Sequence, residues 1–429
     1  MDGSGLEPVR HPGLVTLLED SAWVRAARCR RYRVIVPSSA TGRDLVVWGR
    51  MKGFAGGICV AQDTEGLLFI IYALIGERVM ESGLYFGRLP GGFHQKPAAK
   101  PLVWTVYLTF LLGVAACRGE PGADWTEAIS RAPWAAREGQ AGAVLQGKLW
   151  ILGGGEAGEK PNRNDVWYSA DGVDWSQAAA TAPWRARRHH VSVAFKDRIW
   201  VLGGLSYDEV EKRNVYLNDI WSSSNGIAWT PSKAVVPWSG RCHHTAVVCH
   251  DRIWLIGGEN SGGEKQLSDV WSSNDGEHWV AVTDSAPWGG RSYHASTMHQ
   301  GRIWVLGGVC PGPNGRLRND VWSSSDGAKW TLLGASAGWT PRMGATAVSW
   351  GGQIWLLGGA ISSASSGPQN DVWSSSDGIT WTEVTTAAKW PRRAEHTSVT
   401  FADSIWLLGG GNFRARVTYN DVWRLRTGQ

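Results

Sequence analysis

The chain has 429 residues, enough for one large or two ordinary domains. It contains 28 tryptophans and 55 glycines, well above ordinary usage, but its formal charge is only +5. Lys and Arg form no block interleaved with stacking aromatic residues, so we expect no nucleic-acid partner. The six cysteines, spread over this length, do not suggest a disulfide framework.

The first 95 residues show no sustained helical or strand periodicity. We therefore expect residues 1–95 to be unstructured, or to precede a true start such as Met80. The apolar run Leu67 to Ile75 is too short to span a bilayer.

An export signal is predicted at residues 96–117. Lys96 and Lys100 precede the apolar run from Leu102, which ends in small residues and Cys117. The closing letters "VAAC" resemble the lipobox of bacterial lipoproteins. That resemblance implies lipidation of Cys117, a tether at residues 118–123 and a location in the cell envelope, with a lipid anchor as the only membrane contact. The alternatives are a signal anchor behind a cytoplasmic segment and a buried strand; the run is short for a spanning helix.

From residue 124 the chain repeats six times, about every 50 residues. Each repeat has a Trp after Ile or Leu that is followed by a Gly doublet, a second Trp in a "DVW"-like motif, a third after an Asp-Gly or Asn-Gly turn, and a fourth nine residues later. The first of these tryptophans are Trp150, Trp200, Trp254, Trp304, Trp355 and Trp406. The spacings predict four short strands, a to d, per repeat, with a tight hairpin between c and d.

Four antiparallel strands per repeat are typical of a β-propeller blade. The Gly doublet followed by two spaced aromatic residues resembles kelch repeats, although Trp stands where that family usually has Tyr. The last repeat lacks a fourth strand, whereas "DWTEA" at residues 124–128 matches one. We therefore predict an all-β, six-bladed kelch-type β-propeller over residues 124–429, similar to the central domain of galactose oxidase, closed by its N-terminal strand. A sialidase-type propeller is disfavoured because its Asp boxes separate Asp from Gly by one residue.

An arginine follows the fourth Trp of every repeat by three residues, at the start of strand a. These are Arg137, Arg187, Arg241, Arg291, Arg342 and Arg393. The innermost strands of a propeller converge on its axis. The start of strand a lies on the same face as the b–c loops, which vary in length, and binding sites usually lie on such loops. In kelch adaptor proteins, arginines at this position line a pocket for acidic peptides, which implies the same role here. The alternative is that each arginine only bonds a neighbouring loop or blade.

Two residues further on, the repeats differ from one another. His189, His243, Tyr293 and Glu395 stand at this position, and we expect them to line the same pocket. The next position carries His190, His244, His294 and His396, which resemble the interior histidine of the family and are expected in the core. The cluster "CHHTAVVCH" is extended, so its ends cannot converge on one ion, and we expect neither a metal nor a cofactor.

These features favour a monomeric, non-enzymatic propeller of the envelope that binds an anionic small molecule, glycan or acidic peptide through the arginine-rich face. The alternative is a kelch-type carbohydrate enzyme. It would resemble sialic-acid epimerases, with Glu395 or His243 as acid or base, or, less well, the copper-radical oxidases. For the oxidases, "RSYH" supplies one matching Tyr293, but Cys242 is one register away. A propeller alone does not decide between binding and catalysis.

Overall fold

The computed structural model describes residues 124–156, 162–260, 265–312, 316–361 and 367–426, together with the backbone of five strands before residue 74. Regular structure in these residues is β-strand throughout. Among them there is no helix long and apolar enough to cross a bilayer. The chain separates into two units, residues 1–108 and 109–429. The predicted signal, the tether and Cys117 lie outside the described residues.

The N-terminal unit contains a five-stranded antiparallel sheet in simple chain order. Its strands span Leu17–Leu18, Cys29–Pro37, Asp44–Lys52, Gly57–Gln62 and Leu68–Ala73. These strands lie within residues 1–95, and the expectation that this segment is unstructured or precedes a true start stays a prediction. Cys29–Pro37 and Asp44–Lys52 pair along their whole length, and both contain the β-branched residues that favour strands.

The C-terminal unit contains six four-stranded antiparallel sheets, the blades of a propeller. We number the blades 1 to 6 in chain order and name the strands of each blade a to d from the axis outward. Blades 1 and 2 consist of Ala141–Leu145, Lys148–Gly155, Asn162–Ser169 and Trp175–Ala179, then Val191–Phe195, Arg198–Asp208, Arg213–Ser223 and Thr230–Pro231. Blades 3 and 4 consist of Thr245–Cys249, Arg252–Ile256, Val270–Ser273 and Val280–Thr283, then Ala295–His299, Arg302–Cys310, Arg316–Ser324 and Thr331–Gly334. Blades 5 and 6 consist of Thr346–Trp350, Gln353–Leu357, Val372–Ser375 and Thr382–Thr385, then Thr397–Phe401, Ser404–Leu408, Val422–Arg426 and Trp125–Ile129.

The six innermost strands contact one another in a closed ring, and strand a of blade 6 contacts strand a of blade 1. Strand d of blade 6 is the N-terminal Trp125–Ile129, which pairs antiparallel with Val422–Arg426. The predicted closure is confirmed, and the seam blade has the same four strands as the other five. Two short hairpins extend the b–c connections of blades 3 and 6, pairing Glu259–Asn260 with Lys265–Gln266 and Gly411–Asn412 with Val417–Thr418.

The repeated "NDVWSSSDG" motif of blade 4 is held by its own hydrogen bonds. Asn319 donates to the carbonyl oxygens of Ala337 and Trp339 and so fixes the connection to blade 5. The Ser324 hydroxyl accepts a bond from the Gly327 amide at 2.8 Å, and the Asp326 carboxylate accepts two further backbone amides. The motif therefore closes the c–d hairpin on the face opposite the b–c loops, and its Asn319 holds the d–a connection at the other end of strand c.

Indole rings fill the space between blades. Trp288 and Trp330 meet edge to face with ring centroids 5.8 Å apart, and equivalent pairs occur in every blade. The Trp of strand b packs against the turn glycine of the next blade in blades 1 to 4 and 6, as Trp254 does with Gly327. Large apolar side chains thus bridge each blade to the next and hold the axis as a rigid frame.

Candidate functional site

The six arginines do not present their guanidinium groups to a ligand. All are 0–2% exposed, and each donates from both terminal nitrogens to one aspartate of its own blade at 2.6–3.0 Å. The aspartates are Asp165, Asp219, Asp269, Asp320, Asp371 and Asp421. Each arginine also donates to the carbonyl oxygen of the first glycine in the doublet. The prediction that they form a ligand-binding ring is wrong, because every guanidinium is buried and paired inside its blade.

The residues two positions beyond the arginines encircle the propeller axis. We call this set the axial ring: Gly139, His189, His243, Tyr293, Gly344 and Glu395. Each backbone amide donates to the carbonyl oxygen of the preceding member, at 2.7–3.2 Å, and Gly139 donates to Glu395, which closes the circle. All six have positive φ between 50° and 61°. Four of them are not glycine, and non-glycine residues in this conformation concentrate at functional sites.

Two of the predicted pocket residues meet above a glycine. His189 and Glu395 flank Gly139 in the axial ring, and His189 Nδ1 lies 3.3 Å from Glu395 Oε2. A Cβ at Gly139 would lie 2.5 Å from that imidazole nitrogen. The missing side chain therefore leaves the space in which the imidazole and the carboxyl approach each other.

The other two predicted residues stack. The rings of His243 and Tyr293 are 3.5 Å apart between centroids and inclined by 20°, and His189 lies 4.0 Å from His243 on its other side. The structure thus brings all four predicted residues, His189, His243, Tyr293 and Glu395, into one cluster on the axis. Their role as a ligand-binding pocket stays a prediction.

Glu259 is a further member of the site, and the sequence analysis did not identify it. Its Oε1 lies 3.0 Å from His243 Nδ1, and its Oε2 accepts a hydrogen bond from the Ser292 hydroxyl at 2.8 Å. The Cys242 thiol lies beside both groups, 3.2 Å from His243 Nδ1 and 3.8 Å from Glu259 Oε1. A signal for Glu259 exists in the sequence, since it follows the Gly doublet at a position that is otherwise Gly, Leu, Val or Ala.

Glu138 and Arg188 add charge to the same face. They precede Gly139 and His189 in the chain, and a Cβ at Gly411 would collide with the Glu138 carboxylate. We call the axial ring together with Glu138, Arg188, Cys242, Glu259 and Ser292 the axial site. Backbone bridges join 138, 188, 242 and 292 to the residues that follow the Gly doublets. The axial site therefore lies on the face of the b–c loops.

Burial controls protonation in the axial site. It raises the pKa of Glu395 to about 8, with repulsion from Glu138 adding to the rise and Arg188 opposing it. Burial also raises the pKa of Glu138, against the attraction of Arg188. The pKa of His189 is well below its usual value for the same reason, and that of His243 is lowered despite the opposing pull of Glu259. At neutral pH the axial site therefore contains neutral imidazoles beside a protonated Glu395.

A cavity of about 240 Å³ follows the axis behind the axial ring, lined by the starts of the six a strands. His190, His244, His294 and His396 line its wall, which agrees with their predicted interior position. His294 and His396 are within hydrogen-bond distance, 2.8 Å, of the Thr245 and Thr346 hydroxyls. Burial lowers the pKa of His294 and His396 to about 3, so these side chains are neutral wall residues.

Two groups of three side chains lie close enough together to hold a metal ion. His189, His243 and Glu395 each place a ligating atom within 4.8 Å of the others, as do Cys242, His243 and Glu259. The sequence prediction of no metal site weighed the local cluster around Cys242 and a copper-radical arrangement, and it did not consider the first of these groups. These groups come from blades 2, 3 and 6, which a local motif cannot reveal.

Two family models match the propeller. The KLHDC2/KLHL20/DRC7 Kelch-repeats domain matches residues 123–308, and the DUF6242 beta propeller domain matches residues 272–429. Among solved structures, that of YjhT superposes with a TM-score of 0.57 at 16% sequence identity, covering 69% of this chain and 96% of its own. At that identity the likeness shows the fold alone. No curated protein sequence matches the chain.

Proposed function

Residues 124–426 form a six-bladed kelch-repeat β-propeller, and on that premise we propose that its axial site binds a small, uncharged polar ligand of the carbohydrate class. The observation that carries the proposal is the axial ring. It places His189, His243, Tyr293 and Glu395 in one rigid cluster, beside the b–c loops that vary in length between blades. Differing side chains on an otherwise symmetric frame suit a ligand that lacks symmetry.

The chemistry of the cluster suits hydroxyl and carbonyl groups. Imidazole nitrogens, a phenol and a protonated carboxyl supply hydrogen-bond donors and acceptors in a largely buried setting, where hydrogen bonds fix the orientation of a ligand. The side chain of Glu395 is 22% exposed, whereas those of His189 and His243 are 7% exposed. Glu395 is therefore the group that a ligand meets first.

The charges of the axial site argue against the anionic ligand expected from the sequence. The six arginines that were expected to bind the anion are each paired with an aspartate. In the axial site, Arg188 lies beside the three acids Glu138, Glu259 and Glu395. An anion would be repelled by these carboxyl groups once any of them ionises. A neutral sugar meets no such penalty.

The proposal is tested by calorimetry and thermal unfolding of the full chain with neutral monosaccharides, N-acetylneuraminate and an acidic peptide. We expect neutral sugars to bind and to raise the melting temperature, and Glu395→Gln to weaken that binding at least tenfold. Glu127→Gln is the matched control, because Glu127 is exposed on the outermost strand of blade 6. Binding of anions alone, or full binding by Glu395→Gln, would contradict the proposal.

The same samples distinguish binding from catalysis. Proton NMR of the bound sugar is expected to show it chemically unchanged. A new anomer, isomer or oxidised product would replace the binding function with the carbohydrate-enzyme alternative.

We also propose export to the cell envelope, on the signal pattern of residues 96–117, which lie outside the described residues. Mass spectrometry of the mature chain is expected to find a lipid-modified N-terminus at Cys117, and Cys117→Ser should abolish it. An unprocessed chain with residues 1–95 attached would contradict this location.

A further inference from the structure

We propose that the axial site holds one divalent first-row transition metal ion, with zinc as the reference metal, ligated by His189, His243 and Glu395. This concerns the same side chains as the proposed sugar binding, but its test measures the metal alone, so either proposal can fail without the other. Two imidazoles and one carboxylate form a donor set suited to zinc, iron(II) and cobalt(II). Three protein ligands leave a coordination position for water or a ligand oxygen.

The spacing of the first two ligands favours a metal over a direct hydrogen bond. His189 Nδ1 and Glu395 Oε2 are 3.3 Å apart, outside the usual hydrogen-bond range of about 2.7–3.2 Å. Tetrahedral zinc with bonds of about 2.0–2.1 Å places neighbouring ligand atoms roughly 3.3–3.4 Å apart. Glu395 Oε2 is buried and makes no hydrogen bond to any described residue. The pair is therefore spaced as two ligands on one ion.

His243 is oriented as a metal ligand. Its Nδ1 is engaged by Glu259 at 3.0 Å, and Glu259 is held in turn by the Ser292 hydroxyl. The opposite nitrogen, Nε2, is buried and has no partner among the described residues. A carboxylate on one imidazole nitrogen commonly fixes the tautomer and orientation of a histidine that binds metal through the other. The arrangement leaves Nε2 for the ion.

The frame behind the three ligands is rigid and already assembled. His189, His243 and Glu395 belong to blades 2, 3 and 6 and are joined by the hydrogen-bonded backbone of the axial ring. One ligating atom of each residue lies within 4.8 Å of one ligating atom of the other two, so the three side chains already converge on one place. A metal ligand must be deprotonated, so a divalent cation would displace the proton of Glu395 and bind its carboxylate.

A second cluster, Cys242, His243 and Glu259, competes for the same metal. It is the weaker arrangement, because both Glu259 oxygens already have partners in His243 and Ser292. Both clusters use His243, so replacing that residue cannot separate them. Glu395 and Cys242 each belong to only one cluster and therefore can.

The test uses the full chain, stripped with a chelator and titrated with Zn²⁺ by competition against a chromophoric chelator, and with Co²⁺ by visible absorption. We expect one equivalent to bind with micromolar or tighter affinity, and Glu395→Gln to weaken it at least tenfold. Cys242→Ser should bind within twofold of the unmodified chain, and the Co²⁺ spectrum should lack a thiolate charge-transfer band. His278→Ala is the control, because its imidazole is exposed and pairs only with Asp275.

Each outcome decides the proposal. Absence of stoichiometric binding, or unchanged affinity in Glu395→Gln, would overturn it. Binding that shows a thiolate band and is lost in Cys242→Ser would assign the metal to the competing cluster instead. If Glu395→Gln does not fold, as judged by circular dichroism, His189→Asn provides the same comparison, since His189 also belongs only to the proposed site.

Discussion

Arg187 donates from its two terminal nitrogens to the two carboxylate oxygens of Asp219, at 2.6 and 2.7 Å, across the inner half of blade 2. Arg187 Nη1 also donates a third hydrogen bond, to the carbonyl oxygen of Gly203, at 2.8 Å. The same arrangement recurs in all six blades, where an arginine ahead of strand a is bound to strands b and c. The most regular charged residues of the sequence therefore stabilise the blades.

Removing one of these arginines should destabilise the fold and spare the axial site. Arg342→Met leaves the carboxylate of Asp371 buried without its cation, at a cost of roughly 3–5 kcal/mol in the free energy of unfolding. The double variant Arg342→Met with Asp371→Leu should recover part of that loss; recovery is incomplete because Asp371 also accepts the Trp373 indole. Urea unfolding followed by tryptophan fluorescence measures both. If Arg342→Met kept its stability but lost ligand binding, the arginines would instead be assigned to the binding site.

The turn glycine of the repeated motif should be among the least replaceable residues. Gly327 has a φ of +68°, and a Cβ there would lie 2.2 Å from a ring carbon of the buried Trp254. Strain and overpacking together predict a loss of about 2–4 kcal/mol for Gly327→Ala. Gly334→Ala in the same blade is the control, since its Cβ would meet nothing within 4 Å. Equal melting temperatures for the two variants would contradict this account.

The repeat architecture could be predicted from the sequence because its signals are local. Gly doublets, Asp-Gly turns and evenly spaced tryptophans specify strand lengths and turn types. The ring closure could also be predicted, because the last repeat lacks a fourth strand and the segment that begins at Trp125 matches one. The position two residues beyond each arginine could be selected too, since the repeats differ there, as a ligand without symmetry would require.

The role of the arginines could not be predicted, because the strand alternation fails where it was applied. Residues two apart share a face only on an extended strand. The positive φ of His189 turns the backbone between Arg187 and the strand, so Arg187 points into the blade while His189 surrounds the axis. The place of Glu259 in the site could not be predicted for a different reason. Its partner His243 is 16 residues away, and its other partner, Ser292, belongs to the next blade.

The closing strand should carry much of the stability of the ring. Trp125 is fully buried and meets Trp390 edge to face, with ring centroids 5.9 Å apart. Trp125→Ala should therefore lower the free energy of unfolding by about 3–5 kcal/mol. Deletion of residues 124–130 should also expose the edge of Val422–Arg426 and promote association, which light scattering would detect. A monomeric, equally stable deletion variant would show that closure contributes little.

Acid should unfold the propeller from a higher pH than carboxylates alone would predict. The pKa of His294 is about 3, lowered by burial and by Arg291 and opposed by Asp320. Between its ordinary pKa of 6.5 and 3, the unfolded chain binds a proton that the folded chain does not, so stability falls as pH falls. The lowered pKa of Asp219 extends the loss below pH 3.8.

Substituting His294 isolates its share of this acid sensitivity. His294→Gln keeps a partner for the Thr245 hydroxyl and should flatten the slope of stability between pH 6 and 4 by up to about 1.4 kcal/mol per pH unit. His278→Gln is the control. The Asp275 carboxylate raises the pKa of His278, so that pair stabilises below pH 6.5 and its loss cannot flatten the slope. Parallel acid profiles for both variants and the parent chain would refute the role of His294.

The two glycines of the axial ring separate backbone strain from the collision at the site. Gly139→Ala and Gly344→Ala both introduce a side chain at a φ of +61°, which should cost each variant about 1–2 kcal/mol. Only the Gly139 methyl meets an imidazole nitrogen, at 2.5 Å; the Gly344 methyl would lie 3.3 Å from the nearest side-chain carbon of Glu395. Because His189 must then move away from Glu395, Gly139→Ala should lose zinc and sugar binding at least tenfold. Gly344→Ala should lose less binding, because Glu395 needs to shift by only a few tenths of an ångström. An equal loss in both variants would mean that ring strain, rather than the His189–Glu395 spacing, controls the site.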